Sequence, residues 1–220
     1  MNQSASSLSP AQIRANRIKL LVLWLLPFGL MAIAGVCYYL VQTGQMQIGS
    51  KNHGVLLSPP LQLHEQLGKL SVLDAEGGAQ LLVESPWRNK WTLVVPAFDD
   101  CAERCSEALY LTRQLHIRLD KNANRVQRVL LAGPAAQAAV GSEAFNHMVN
   151  TEHSLLRRIV YSDASAVASL QPVLRADSGE QARFFIVDPD GWAMMYYLDE
   201  HDGNAMLADL KHLLKFSGQR

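Results

Sequence analysis

An α/β domain held behind one membrane-spanning helix is the architecture that this sequence predicts, and three observations carry it. Leu20 to Val41 runs without a single charged side chain, and about 20 apolar residues suffice to cross a bilayer as a helix. From Trp91 onward, short β-type runs alternate with helical stripes, the pattern of a parallel sheet with crossover helices. Near the end, Phe184–Val187 and Trp192–Leu198 flank Asp188-Pro189-Asp190-Gly191, which reads as a β-hairpin around a tight turn.

The chain divides as a polar tail (1–19), the spanning helix (20–41), a glycine-containing tether (42–53) and an α/β domain (54–220). Ser9-Pro10 offers a helix start within the tail. Three of the 20 basic residues, Arg14, Arg17 and Lys19, and none of the 20 acidic ones precede residue 42, so the rest of the chain has a net charge of −3. Basic residues just before a span favour the cytoplasmic side. The N-terminus is therefore expected in the cytoplasm and the domain across the membrane. The negative balance gives no footprint for nucleic acid. Ala32-Ile33-Ala34 resembles a signal-peptidase site, but the apolar run continues to Val41, too long for a signal core. Val36 is bulky for the position before a lipidated Cys37, which is read as a small apolar residue within lipid.

In the domain, Val55–Leu57 reads as a short strand before Ser58-Pro59-Pro60. Leu67–Leu73 and Gln80–Val83 flank Asp74-Ala75-Glu76-Gly77-Gly78, a hairpin expected at the front of the domain. Trp91–Val95 is a buried strand closed by Pro96. A helix over about 101–119 follows, with Ala108, Leu109, Leu111 and Leu115 as its stripe. Asp120–Asn124 is a polar turn, and Val126–Leu131 is a second strand parallel to the first. A short helix at Ser142–Asn150, a strand at Leu155–Tyr161 and a helix at Ala164–Leu174 broken near Pro172 come next. Asn204 is the expected cap of a closing helix whose Met206, Leu207, Leu210, Leu213 and Leu214 share one face. This order is a thioredoxin-like plan, and its size suffices for a core without disulfide staples.

The chemistry concentrates in Trp91–Cys105, WTLVVPAFDDCAERC. Cys101 and Cys105 stand four residues apart where strand gives way to helix, with Asp99 and Asp100 as capping candidates. One helical turn puts both sulfurs on one face. A helix N-terminus favours thiolate, while Asp99, Asp100 and Glu103 oppose it. Two such sulfurs can close a disulfide or hold a soft metal. Helical Cα atoms one turn apart lie near 6 Å with parallel Cβ vectors, so closure calls for a loosened first turn.

With Cys101-Ala-Glu-Arg-Cys105, the hairpin Phe184-Phe-Ile-Val-Asp-Pro-Asp-Gly191, the closing Asp209-Leu-Lys-His-Leu-Leu-Lys215 and the anchor in view, the chain resembles the Sco/SenC family of membrane-anchored thioredoxin-like proteins. It resembles more closely the small transmembrane proteins associated with cytochrome oxidase in proteobacteria, as Asn52-His-Gly-Val-Leu-Leu-Ser-Pro59 also indicates. The resemblance implies a bacterial inner-membrane protein with a periplasmic domain that assists cytochrome c oxidase biogenesis. Its partner would be an oxidase subunit or assembly factor. Cys101 and Cys105 would serve as Cu(I) ligands in copper delivery or as a redox pair reducing oxidase-subunit cysteines. A binding module without chemistry is the remaining reading. Four places depart from the family pattern. Ala102 and Ser106 replace prolines, Ala132-Gly-Pro-Ala135 replaces an Asp-Pro segment, Glu180 stands near the place of the copper-binding histidine, and Gln181-Ala182-Arg183 lacks the cis-proline of thioredoxin-type oxidoreductases.

The histidines His53, His64, His116, His147, His153, His201 and His212 contain no i, i+4 zinc pair. His147 and His153, in the stretch before Leu155, are candidates to approach the sulfurs, and Met194 or Met195 offers a thioether. The charge pattern around the span makes a direct prediction. Alkaline phosphatase fused after residue 60 is expected to be active, and an inactive fusion would reverse the orientation.

Overall fold

A computed structural model describes residues 10–43, 52–176 and 178–217. The N-terminal tail before Pro10 and most of the expected tether lie outside the described residues. The chain separates into two compact units, Met1–Lys51 and Asn52–Arg220.

The described residues of the first unit form the helix α1 (Pro10–Gln42), with Pro27 inside it. Its Asn16–Leu40 stretch is long and apolar enough to cross a membrane. The helix begins at Pro10, where the sequence allows a start and where a proline loses no intrahelical hydrogen bond.

The second unit is built on one eight-stranded sheet. Its elements are β1 (Val55–Gln62), α2 (Leu63–Leu67), β2 (Leu70–Leu73), β3 (Ala79–Leu81), β4 (Trp91–Ala97) and α3 (Glu103–Ile117). A 3₁₀ turn (Asp120–Arg125) leads to β5 (Val126–Ala132), α4 (Gln137–Val140), α5 (Glu143–Glu152), β6 (Leu156–Tyr161) and α6 (Ser165–Val173). The hairpin β7 (Phe184–Val187) and β8 (Trp192–Tyr197) and the closing helix α7 (Gly203–Phe216) complete it. The strand order is β1-β8-β7-β4-β5-β6-β2-β3. β4, β5 and β6 are parallel; β7 runs antiparallel to β4, and β8, antiparallel to β7, returns to the direction of β4. Trp91, Leu93 and Val95 of β4 pack with Leu109 and Leu115 of α3 and Leu210 of α7. On the other face, Val94, Val129 and Phe185 pack with Leu63 and Leu67 of α2 and Leu170 of α6.

Several boundaries differ from expectation. β4 continues through Pro96, which pairs with Leu131, because its ladder with β7 covers only Thr92–Val94 and demands no N–H at residue 96. β1 runs through Pro59 and Pro60, since it is an edge strand whose register with β8 shifts between Leu56 and Leu61. Leu67 ends a short helix, and β2 begins only at Leu70. The hairpin β2–β3 lies at the sheet edge beside β6, far from β1. α6 passes through Pro172, near its C-terminus. Asp202, two residues before Asn204, caps α7 by accepting from Asn204 N and Ala205 N at 2.9 and 3.3 Å.

Asp209 on α7 locks the start of this unit to its end. Its buried carboxylate accepts from His53 N at 2.8 Å, Gly54 N at 3.0 Å and Tyr197 Oη at 3.1 Å. Gly54 is required here, because a Cβ would lie 2.6 Å from Met195 Sδ. Burial, then the Asp209 charge, pushes the Tyr197 phenol well above its usual range, so it remains a donor. Asp209→Ala strands three donors, and a loss of about 3 kcal/mol is expected in a denaturant titration.

Candidate functional site

The sheet delivers both cysteines to the C-terminal end of β4. The strand is buried to Phe98, and the chain emerges at the exposed Asp99 and Asp100 before turning into α3. Cys101 precedes the helix, and Cys105 is its third residue. The two form a disulfide with Cα atoms 5.0 Å apart. That is closer than one turn of a regular helix brings them, and it requires the irregular backbone seen at Ala102, whose φ and ψ are −80° and −159°. Both cysteines are half-buried against the α3-side core. A groove of about 530 Å³ along α3 is lined by Ser106, Glu107, Tyr110, Leu111, Gln114 and Arg183.

Asp99 and Asp100 do not cap α3. Its N-cap is Ala102, which receives no side-chain hydrogen bond. The segment is instead held by Arg104, between the two cysteines. Arg104 Nε donates to Asp199 Oδ2 at 3.0 Å, its Nη2 donates to the Gln181 carbonyl, and the same nitrogen lies 3.5 Å from Glu180 Oε1. Asp199 N donates to Glu180 Oε1 at 2.9 Å. Arg183 adds an ion pair to Asp199 at 3.0 Å and a looser one to Glu107 at 3.7 Å. No sequence pattern reveals this cluster, because its members come from α3, the approach to β7 and the turn after β8. The one signal available is an arginine standing between two cysteines.

Glu180, near the expected place of a histidine ligand, is thus engaged by Arg104 and by a backbone N–H. Among the described residues, no group of three or more His, Cys, Asp or Glu is arranged to hold a metal ion. Most of the other candidates have neighbours of their own. His147 is exposed on α5. His153 is buried at the C-cap of α5, where its Nδ1 accepts from Arg128 Nη2 at 3.3 Å. Arg128 also donates to Leu109 O at 2.7 Å. Burial and then Arg113 push its guanidinium down to about 10. Met195 is buried in the core, and Met194 packs against it. His116 Nε2 lies 3.0 Å from Ala123 O and 3.1 Å from Val126 O, and His201 Nδ1 accepts from Leu198 N at 3.0 Å.

A family model described as "transmembrane-like, thioredoxin-like, C-terminal domain" matches residues 91–217. Solved structures similar to the chain include yeast Sco1 with copper bound, at 15% identity and a TM-score of 0.49, covering 70% of this chain and 96% of that one. Apo Sco1 from Thermus thermophilus has 17% identity and a TM-score of 0.49, covering 76% and 99%. Arabidopsis thaliana ScoI with copper bound has 16% identity and a TM-score of 0.48, covering 67% and 97%. No curated protein matches the chain.

Burial, then Arg128 and Arg113, lowers the His153 pKa below 6.5. The unfolded chain therefore takes up the proton first as pH falls. The stability contributed by neutral His153 is complete above about 6.5 and declines as pH drops toward the folded-state pKa. A melting series from pH 8 to 5 is expected to show this decline in the wild type. It should flatten in His153→Gln, whose amide oxygen can still accept from Arg128.

Proposed function

The chain belongs to the transmembrane-like, thioredoxin-like C-terminal domain family, and on that premise we propose that it is a membrane-anchored factor assisting cytochrome c oxidase biogenesis. Cys101 and Cys105 carry its chemistry, as a pair that holds Cu(I) for delivery. The supporting observation is their position: two sulfurs close enough to bond, half-exposed at the strand–helix junction. The resemblance of the Cys101–Cys105 spacing, the Phe184–Gly191 hairpin and the closing helix to the Sco/SenC family supports the same cellular task. The protein would lie in a bacterial inner membrane, with α1 as its single span and the α/β domain in the oxidising periplasm.

The donor set suits Cu(I) as cargo. Soft thiolates and low coordination match Cu(I), whereas Cu(II) prefers tetragonal nitrogen and oxygen ligands. Glu180 is a hard donor already held by Arg104. Loading first needs the disulfide reduced by two electrons and two protons, and ligation then releases the two thiol protons. The helix N-terminus of α3 offsets part of the charge that two thiolates introduce. Transfer to the receiving oxidase site exchanges one sulfur at a time, with no change in the oxidation state of the ion.

The disulfide itself favours a second reading. The dithiol passes two electrons and two protons to a disulfide of an oxidase subunit and is left as the Cys101–Cys105 disulfide.

The full chain in detergent, reduced and titrated against a chromophoric Cu(I) chelator, tests the first reading. Binding is expected in the wild type and lost in Cys101→Ser and in Cys105→Ser, with weak Cu(II) binding throughout. A wild type that competes no better than the double-serine variant would overturn copper delivery. An oxidase-assembly assay of the double-serine variant then decides the second reading: retained assembly leaves only a binding role.

A further inference from the structure

We infer that Arg104 is a positioning residue for the Cys101–Cys105 couple, setting the balance between disulfide and dithiol by anchoring the loop between the sulfurs. The inference deepens the proposed redox site and rests on Cys101 and Cys105 cycling between the two forms.

The argument starts from what the backbone must do. A regular helix over 101–105 would keep the sulfurs side by side at a Cα separation near 6 Å, whereas the disulfide requires 5.0 Å and an extended residue at Ala102. Something must hold residue 102 off the helix, and local capping does not: Ala102 has no side chain to accept a bond and receives none. Ala102 and Glu103 are exposed, and Cys101 and Cys105 are engaged with each other. Arg104 reaches three partners outside the loop. Two of them, Gln181 and Glu180, belong to the approach to β7, and Asp199 follows β8. The hairpin thereby fixes those segments relative to the sheet that also positions β4.

With the anchor intact, the reduced loop keeps the geometry in which the sulfurs meet, and little order is lost on oxidation. Without it, the dithiol gains freedom that the covalently closed form cannot, because the bond still restrains the loop. The equilibrium then moves toward the dithiol. The bidentate reach of a guanidinium matters: a lysine can satisfy one carboxylate but cannot span Asp199, Glu180 and the Gln181 carbonyl together.

The test is equilibration of the full chain in detergent with glutathione buffers, in which protein disulfide plus two glutathiones gives protein dithiol plus glutathione disulfide. Trapped thiols are counted by mass. Arg104→Met is expected to shift the equilibrium toward the dithiol by three- to tenfold, about 15–30 mV for a two-electron couple. Arg104→Lys should recover part of the shift. Glu180→Gln combined with Asp199→Asn, which leaves Arg104 in place but weakens its anchors, should move it in the same direction. An unchanged equilibrium in Arg104→Met overturns the inference, as does a shift in Arg104→Met that the Glu180/Asp199 variant does not share. Neither outcome involves copper or oxidase, so failure here is separable from failure of the proposed function. A wild-type pair that remains oxidised across the whole glutathione range would instead strike at the redox cycling itself.

Discussion

The burial of β4 on both faces is the constraint from which the rest of the domain follows. Trp91, Leu93 and Val95 face one core, and Val94 faces the other. A strand with no wet face must be flanked by ladders on both sides and covered by helices above and below. β5 and β7 supply the ladders, and α3, α7, α2 and α6 supply the cover. Because β5 runs parallel to β4, the chain must cross back over the sheet, and α3 makes that crossing. The point where β4 leaves the core and α3 begins is the first at which reactive side chains can reach solvent while remaining fixed by a rigid strand. The cysteines occupy that point.

Rigidity at this junction comes from tertiary contacts. An ordinary helix N-terminus is held by a Ser, Thr, Asp or Asn side chain folding back on free N–H groups. Here Asp99 and Asp100 lie too early and are exposed, and the cap position is alanine. The loop leans on Arg104, and Arg104 leans on acids presented by the β7–β8 region. Exposed ion pairs contribute little to global stability, and all members of this cluster are partly solvated. Their effect is local, on the few residues whose conformation decides whether two sulfurs meet.

The sequence made the parallel β4–α3–β5 unit, the Asp-Pro-Asp-Gly hairpin and the closing helix legible because each has a strong local signature. Buried strands read as continuous apolar runs, the turn carries its own Pro and Gly, and α7 keeps its hydrophobic stripe. The errors fall where tertiary context overrides local preference. Pro59, Pro60 and Pro96 look like strand breakers, yet each sits where a missing N–H faces no partner, a fact visible only once strand order is known. The β2–β3 hairpin precedes β4 in sequence but pairs with β6, a placement that no local pattern encodes. Asp202 and Asn204 are both good capping residues two positions apart, and only the backbone path decides that Asp202 is the cap.

At the site, the cysteine pair was legible and its surroundings were not. In the sequence, His147 and His153 are candidate partners of the sulfurs, because no local pattern fixes their stretch relative to the cysteines. In the structure, β5 contributes a buried arginine that needs a neutral acceptor, and His153 Nδ1 meets that need. Its burial has an interior explanation that leaves it unavailable to a metal. Glu180 follows the same logic at the surface: its carboxylate is already satisfied by Arg104 and the Asp199 N–H. Two side chains that could have supplied a third donor are committed to positively charged neighbours. Under the proposed function, the sulfur pair would serve an ion satisfied by two soft ligands or a reaction that needs only two thiols. Both candidate donors are thus held by arginines, and the two sulfurs are held by each other.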